Sequence, residues 1–210
     1  RTCAEQSRYI ILAVKPQFYD GVLKEIQPVL DDSRIIISLA PSYSIADLKQ
    51  SLGSSVRIVR AMPNTPAMVG EGMTGLSWSD DNFSESERTE LMQFFTSFGK
   101  AESVPENLMD AVTAASGSSP AFIYMMIEAL ADGVVKYGMP RDKAYTFVSQ
   151  AVLGSAKMVL ETGEHPGLLK DKVCSPGGTT IAAVAELEAS GFRSSLIKAA
   201  SAVCDRCRNM

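Results

Sequence analysis

The sequence is short of the features that mark the simplest functional classes. Its 210 residues include a single histidine, His165, so a metal site built on two imidazoles is excluded. There is no G-x-S-x-G elbow to support a hydrolase triad, and no lysine follows the paired glycines as a phosphate-binding P-loop requires. No basic block exceeds two residues and the formal net charge is −4, which leaves no electrostatic footprint for nucleic acid. The longest apolar run, AFIYMMI (Ala121 to Ile127), is cut by Glu128 well short of the ~20 residues a membrane span needs. Four cysteines (Cys3, Cys174, Cys204, Cys207) make no disulfide framework in a chain of this length and suit a reducing compartment, so the expected location is cytoplasmic. Cys204 and Cys207 have C-x-x-C spacing but no second pair, and read as ordinary helix residues. The chain opens on Arg1 without a signal or transit pattern, and a segment before it is expected.

What remains is ordinary globular composition, 46% apolar and 21% charged. YIILAV (Tyr9 to Val14) is a continuous β-rich run stopped by Lys15-Pro16, the pattern of a strand buried on both faces of a parallel sheet. Phe18, Val22, Leu23, Ile26 and Val29 then recur at helical spacing, and IIISLA (Ile35 to Ala40) reads as the next strand. Ser44 with Asp47 and Ser84 with Glu87 predict capping boxes, and VRIV (Val56 to Val59) predicts a third parallel strand. GLSWS (Gly75 to Ser79) reads as an additional strand. From Asn107 onward the chain is rich in Ala, Met, Leu and Val at helical spacing, with Gly138, Gly163 and Gly191 as stops. The expected fold is therefore an α/β dinucleotide-binding part over residues 1–104, Rossmann-like with its amino-terminal portion missing, followed by an all-helical part over 105–210.

GEGMTG (Gly70 to Gly75) satisfies G-x-G-x-x-G literally, but MPNTPAMV precedes it and GLSW follows, so it reads as a glycine-rich loop and not as the strand-to-helix phosphate turn. Ligands of open α/β sheets bind at the carboxyl ends of the strands, where Lys15-Pro16, the turn after Ala40, and MPNTP (Met62 to Pro66) all fall. Lys15 reads equally well as a solvated loop lysine, and Asn64 can present an amide to a ligand. CSPGGTTIAAVAELE (Cys174 to Glu188) is the sharpest local signal. Gly177 and Gly178 permit close backbone approach, Thr179 or Thr180 can cap the helix that follows, and exposed amides at such a start attract a carboxylate or phosphate. The competing reading is an ordinary capped helix. SGSSP (Ser116 to Pro120) reads as a kink or close helix approach, and His165 as structural beside Pro166.

Taken together, AVKP (Ala13 to Pro16), MPNTP, DAVTAASGSSPA (Asp110 to Ala121), HPGLLKD (His165 to Asp171), SPGGTTI (Ser175 to Ile181) and LEASGFRSSLI (Leu187 to Ile197) resemble the pyrroline-5-carboxylate reductase family, in one order along the chain. The resemblance implies an oxidoreductase that uses NADP or NAD to reduce the C=N bond of 1-pyrroline-5-carboxylate to L-proline, the last step of proline synthesis. It also implies a substrate site of Glu106, Ser175, Gly177, Gly178, Thr179 and Thr180, with Thr180 as the catalytic residue facing the ring nitrogen. Cofactor contacts carry over to Ala13, Val14, Lys15, Pro16, Leu39 and Ala40, with Asn64 on the same edge and Lys172 at a position that is often Asn. The sequence departs from the family in Ala40-Pro41-Ser42 for Ala-Ala-Gly and SGSSP for SGSGP. Implied partners are the small-molecule substrate and a second copy of the chain, as a homodimer or a larger ring of dimers, with no nucleic acid, membrane or metal. The alternatives are another two-domain NAD(P)H imine or β-hydroxyacid reductase, or a truncated, inactive helical dimerisation module.

Overall fold

The structure, a computed structural model, describes residues 1–209. Its chain groups into two compact units: Arg1–Pro120 together with the residues from Ala200 onward, and Ala121–Ala199.

The first unit is built on five strands in the order β1 (Tyr9–Leu12), β2 (Ile35–Ser38), β3 (Arg57–Met62), β4 (Gly72–Trp78) and β5 (Gly99–Ser103). β1, β2 and β3 run parallel, with Ile10 level with Ile36 and Ile36 level with Ile58. All four residues of β2 are buried, which is why its sequence is apolar without alternation: both faces are covered. One face packs Ile36 and Ile58 against Leu23 and Ile26 of α2 (Tyr19–Ile26) and Leu48 of α3 (Ile45–Leu52). The other packs Ile35, Ile37 and Val59 against Leu91 and Phe95 of α4 (Glu85–Thr96). A short helix, α1 (Thr2–Gln6), precedes the sheet and buries Ala4.

Both expected capping boxes form. The Ser44 hydroxyl accepts from the Asp47 amide at 3.0 Å, and Ser84 does the same for Glu87 at 3.2 Å, each with the reciprocal carboxylate bond to the cap amide. The helix expected from Phe18 to Val29 is α-helical only in its centre. Pro16–Phe18 and Gln27–Val29 are 3₁₀ turns: Pro16 opens the first, and Pro28 removes an amide that continuing α2 would need. The strand expected at GLSWS starts earlier, at Gly72, and pairs antiparallel with β3, while β5 then runs parallel to β4.

After Ser103 the described residues are helical, and those up to Pro120 still group with the sheet. α5 (Met109–Val112) lies so close over β4 that a Cβ on Gly75 would stand 2.6 Å from Val112 Cγ1, so that strand position admits only glycine. SGSSP, read from sequence as a kink, spans the end of one π turn (Thr113–Gly117) and the start of the next helix, the turn being closed by the Ser118 amide donating to the Thr113 carbonyl at 2.8 Å. α6 (Ser119–Val135), α7 (Arg141–Thr162), α8 (Pro166–Lys172), α9 (Thr179–Ala189) and α10 (Phe192–Arg208) follow, with the helix-stopping Gly138, Gly163 and Gly191 all at positive φ.

The second unit has almost no core of its own. Ala131 and Ala144 are its buried residues among those described, while Met125, Phe147, Leu160 and Ile197 are more than half exposed. Helices with such faces bury them against something outside the chain. No helix among the described residues is long and apolar enough to cross a membrane.

Opposite the strands' carboxyl ends, Glu87 ties the sheet together. Its carboxylate, 4% exposed, accepts from Arg8 at 2.6 Å and Arg57 at 2.7 Å, and from the Ser84 amide at 2.8 Å. Burial alone would push its pKa up. The Ser84 amide and the two arginines overcome that and hold it at about 2, below the ordinary 4.5. The stability it contributes is therefore complete above the ordinary value and lost as pH falls toward 2. Glu87→Gln should cost about 2 kcal/mol at neutral pH and flatten the acid limb of the stability profile. Denaturant titrations of both proteins at pH 7 and pH 3 check this.

Candidate functional site

The residues singled out from sequence fall into two groups, one in each unit. In the first unit they sit at the carboxyl ends of the parallel strands. Ala13 to Pro16 form the exposed turn after β1, with Lys15 in extended conformation as the residue that opens the 3₁₀ turn. Leu39 and Ala40 follow β2, and both of their amides point to one atom. The Tyr19 hydroxyl accepts from Leu39 N at 3.2 Å and Ala40 N at 3.1 Å, and donates to the Leu12 carbonyl at 2.8 Å. Tyr19 is 1% exposed and its ring stacks on Tyr43, so a single buried phenol joins the ends of β1 and β2.

Sequence reasoning missed Tyr19. The signal was a polar-tipped aromatic on the buried stripe of the first helix, where its ring satisfied the helical spacing and its hydroxyl drew no notice.

Asn64 lies after β3 and is half-buried. Its carbonyl accepts from Met73 N at 2.9 Å, and its amide donates to the Ser116 carbonyl of the π turn at 3.1 Å. One donor and one lone pair of that amide are left for a ligand. Glu106 opens the helical stretch. Its Oε1 accepts from Arg60 at 2.9 Å and from the Ile45 amide at 2.7 Å. Beside it a cavity of about 390 Å³ is lined by Ser42, Asp47, Arg60, Glu106, Asp110 and Cys207. Burial and the nearby Asp110 raise the Cys207 thiol pKa, which leaves it a poor nucleophile.

A dinucleotide asks for small side chains at the strand ends, a cation and a glycine-rich turn between strand and helix. The first two are supplied by Ala13, Ala40 and Ser42 with the exposed Lys15. No strand-to-helix turn among the described residues carries the third. In GEGMTG only Gly70 and Glu71 lie in the turn before β4, and Gly72 to Gly75 already belong to that strand, so the segment is mostly strand where a glycine-rich loop was expected, and it leads into no helix. Two of the three requirements are therefore met by the residues present.

In the second unit, Ser175 to Gly178 make a tight turn closed by the Gly178 amide donating to the Ser175 carbonyl at 3.0 Å. Gly177 holds φ +69°, and the proline before it is the usual partner of such a glycine in a turn. A Cβ on Gly178 would fall 2.4 Å from Ser175 Oγ. Gly178 then serves as the N-cap of α9, which corrects the expected threonine cap: the helix starts at Thr179, and no side chain caps it. The amides of that first turn and the exposed Ser175, Thr179 and Thr180 hydroxyls are thus presented outward, an arrangement suited to a carboxylate. Lys172, at the end of α8, is ion-paired with Glu164. His165 is the N-cap of α8, its Nδ1 accepting from Gly167 N at 3.0 Å, the structural role expected of it. Among the described residues no group of acidic, cysteine and histidine side chains is arranged to hold a metal ion.

Comparison with known proteins aligns with this geometry. The family model for pyrroline-5-carboxylate reductase dimerisation matches residues 106–210. The pyrroline-5-carboxylate reductase of Escherichia coli K12 is 48% identical over 196 residues, covering 93% of this chain and 72% of that protein. That of Glycine max is 43% identical over 205 residues, covering 98% and 74%. The crystal structure of Plasmodium falciparum pyrroline carboxylate reductase with NADP bound superposes with a TM-score of 0.91 at 34% identity, over 98% of this chain and 78% of that one.

Tyr19→Phe should cost about 2 kcal/mol, since the buried Ala40 amide loses its acceptor while Leu39 N and the Leu12 carbonyl are left with their long mutual bond of 3.4 Å. Chemical denaturation measures the loss, and amide hydrogen exchange should place it at Leu39 and Ala40.

Proposed function

This chain belongs to the pyrroline-5-carboxylate reductase family, and we infer from its geometry how its residues serve the NAD(P)H-dependent reduction of 1-pyrroline-5-carboxylate to L-proline. The observation that carries the assignment of roles is the start of α9, an outward-facing helix amino terminus that no side chain caps.

The substrate is an anion with a ring C=N bond. Its carboxylate suits the α9 amides with Ser175, Gly177, Gly178 and Thr179, where the partial positive charge of the helix start favours it. Thr180, one position into the helix, is placed to orient the ring nitrogen. A threonine hydroxyl is too weak an acid to protonate an imine, so the nitrogen arrives protonated or takes its proton from water, and Thr180 fixes the ring for attack at carbon. Glu106 is assigned to the substrate side through the carboxylate oxygen that Arg60 and Ile45 leave uncommitted. Ala13, Val14, Lys15, Pro16, Leu39, Ala40 and Asn64 are assigned to the nicotinamide cofactor, with Lys172 near it. When bound, that cofactor supplies the two electrons and the hydrogen that the ring carbon gains.

The exposed apolar faces of the second unit support assembly into a homodimer, and rings of such dimers, each copy covering the other's helices. The four unpaired cysteines support a cytoplasmic location.

Cofactor oxidation by the intact natural protein in the presence of 1-pyrroline-5-carboxylate tests the reaction. Turnover with a β-keto acid and none with the pyrroline would transfer the assignment to a β-hydroxyacid reductase. Thr180→Ala should lower kcat roughly 10- to 100-fold with a smaller rise in KM, as expected for an interaction that matters most as charge on the ring nitrogen changes. An unchanged kcat would remove Thr180 from the mechanism. Sedimentation at micromolar concentration should give a dimer or a multiple of it, and a monomer would contradict the covering of the second unit's faces.

A further inference from the structure

Arg60 is a charged residue in the central antiparallel-paired strand β3, with 8% of its side chain exposed. A buried guanidinium is expensive, and for stability alone an apolar residue of similar volume serves as well or better. What an apolar residue or a lysine does not supply is a rigid fork that reaches two acceptors at once. Arg60 uses it on two separate segments. One nitrogen donates to the Pro41 carbonyl at 2.9 Å and the other to Glu106 Oε1 at 2.9 Å, while Nε is buried without a partner. Glu106 in turn accepts the Ile45 amide at 2.7 Å, at the first residue of α3, beside the Ser44–Asp47 capping box.

The whole connection from β2 to α3 is therefore fastened from below: Leu39 and Ala40 by the Tyr19 hydroxyl, Pro41 by Arg60, and Ile45 by Glu106. Pro41 restricts its own φ and the backbone of Ala40 before it, and these anchoring bonds set the remaining freedom of the connection. We propose that Arg60, anchored by Glu106, is a positioning residue for the nicotinamide cofactor: its fork sets the Leu39–Ser42 backbone in the shape that receives the cofactor. The proposal rests on the cofactor assignment made above. It gives Glu106 a second task, as the link through which the start of the helical stretch fixes the cofactor turn.

The test is direct nucleotide binding to the intact natural protein without substrate, read by nucleotide fluorescence with NADH or NADPH, whichever the unaltered protein binds tighter. Arg60→Lys keeps the charge but offers one ammonium nitrogen in place of the two that serve Pro41 and Glu106, and should weaken nucleotide binding about tenfold, more than it raises KM for the pyrroline. Glu106→Gln should weaken nucleotide binding to a similar extent. The double variant should bind no worse than the weaker single one, because the two residues act as one unit. Thermal denaturation of each variant runs alongside. A lowered Tm with unchanged nucleotide affinity would show a structural pair only and overturn the proposal, as would additive losses in the double variant. A rise in pyrroline KM with unchanged nucleotide affinity would overturn it in favour of Glu106 acting on substrate alone. Failure of the unaltered protein to turn over the pyrroline while still binding nucleotide would count against the reaction assigned above, and the binding comparison would stand apart from it.

Discussion

At the carboxyl ends of β1 and β2, three polar backbone groups converge where the sheet stops, and the Tyr19 hydroxyl bonds to all of them. Parallel strands create this problem wherever they end, because each chain must leave the ladder at the same edge as its neighbour. A phenol is suited to it: the ring contributes apolar burial to the α2 interface, and the oxygen combines one donor with two lone pairs. Its consequence is functional. With their amides bound to Tyr19, Leu39 and Ala40 are held in place before any ligand arrives, and the edge on which the cofactor is assigned to bind is preorganised.

The two units solve the burial problem in different ways. In the first, both faces of β2 are covered by helices of the same chain, and two clusters of apolar residues close around it. In the second, seventeen- and twenty-two-residue helices carry apolar residues on more than one side, and the chain has nothing left to cover them. Such helices gain tertiary stability only by packing, so their folding and their assembly are one process. The loop proposed for the substrate carboxylate lies in this unit, so its rigidity would follow from whatever covers those faces.

Much of this was legible wherever the determining interaction is local. Ser44 with Asp47 and Ser84 with Glu87 satisfy their own cap amides three residues apart, so four letters suffice to find them. The apolar run of β2 was legible because burial on both faces erases alternation, whereas β1, expected to be buried in the same way, lies at the end of the strand order and alternates, with Ile10 and Leu12 buried and Ile11 40% exposed. The antiparallel entry of β4 was not, since strand direction is set by the path of the loop before it. The extra residue of the π turn was equally hidden, since one of its carbonyls is claimed by Asn64, 52 residues earlier. In the substrate loop the glycines were legible from their backbone demands. The cap was misjudged because a threonine at N1 resembles one at N-cap, and only the conformation of Gly178 distinguishes them.

Sequence reading overlooked Tyr19 and Arg60, and it placed Asn64 on the ligand edge without its structural contacts. The three come from different elements, and each spends polar atoms on backbone groups of a segment remote in sequence: Leu39 and Ala40, Pro41, and Met73 with Ser116. None belongs to a spacing pattern, because the partner is a carbonyl or an amide and places no demand on side-chain identity there. In the turn of Ala40, Pro41 and Ser42 the proline pre-sets part of the backbone, and the Tyr19 hydroxyl from α2 and the Arg60 guanidinium from β3 fix the rest. Buried side chains of neighbouring elements thus extend the order of the core to the edge of the sheet.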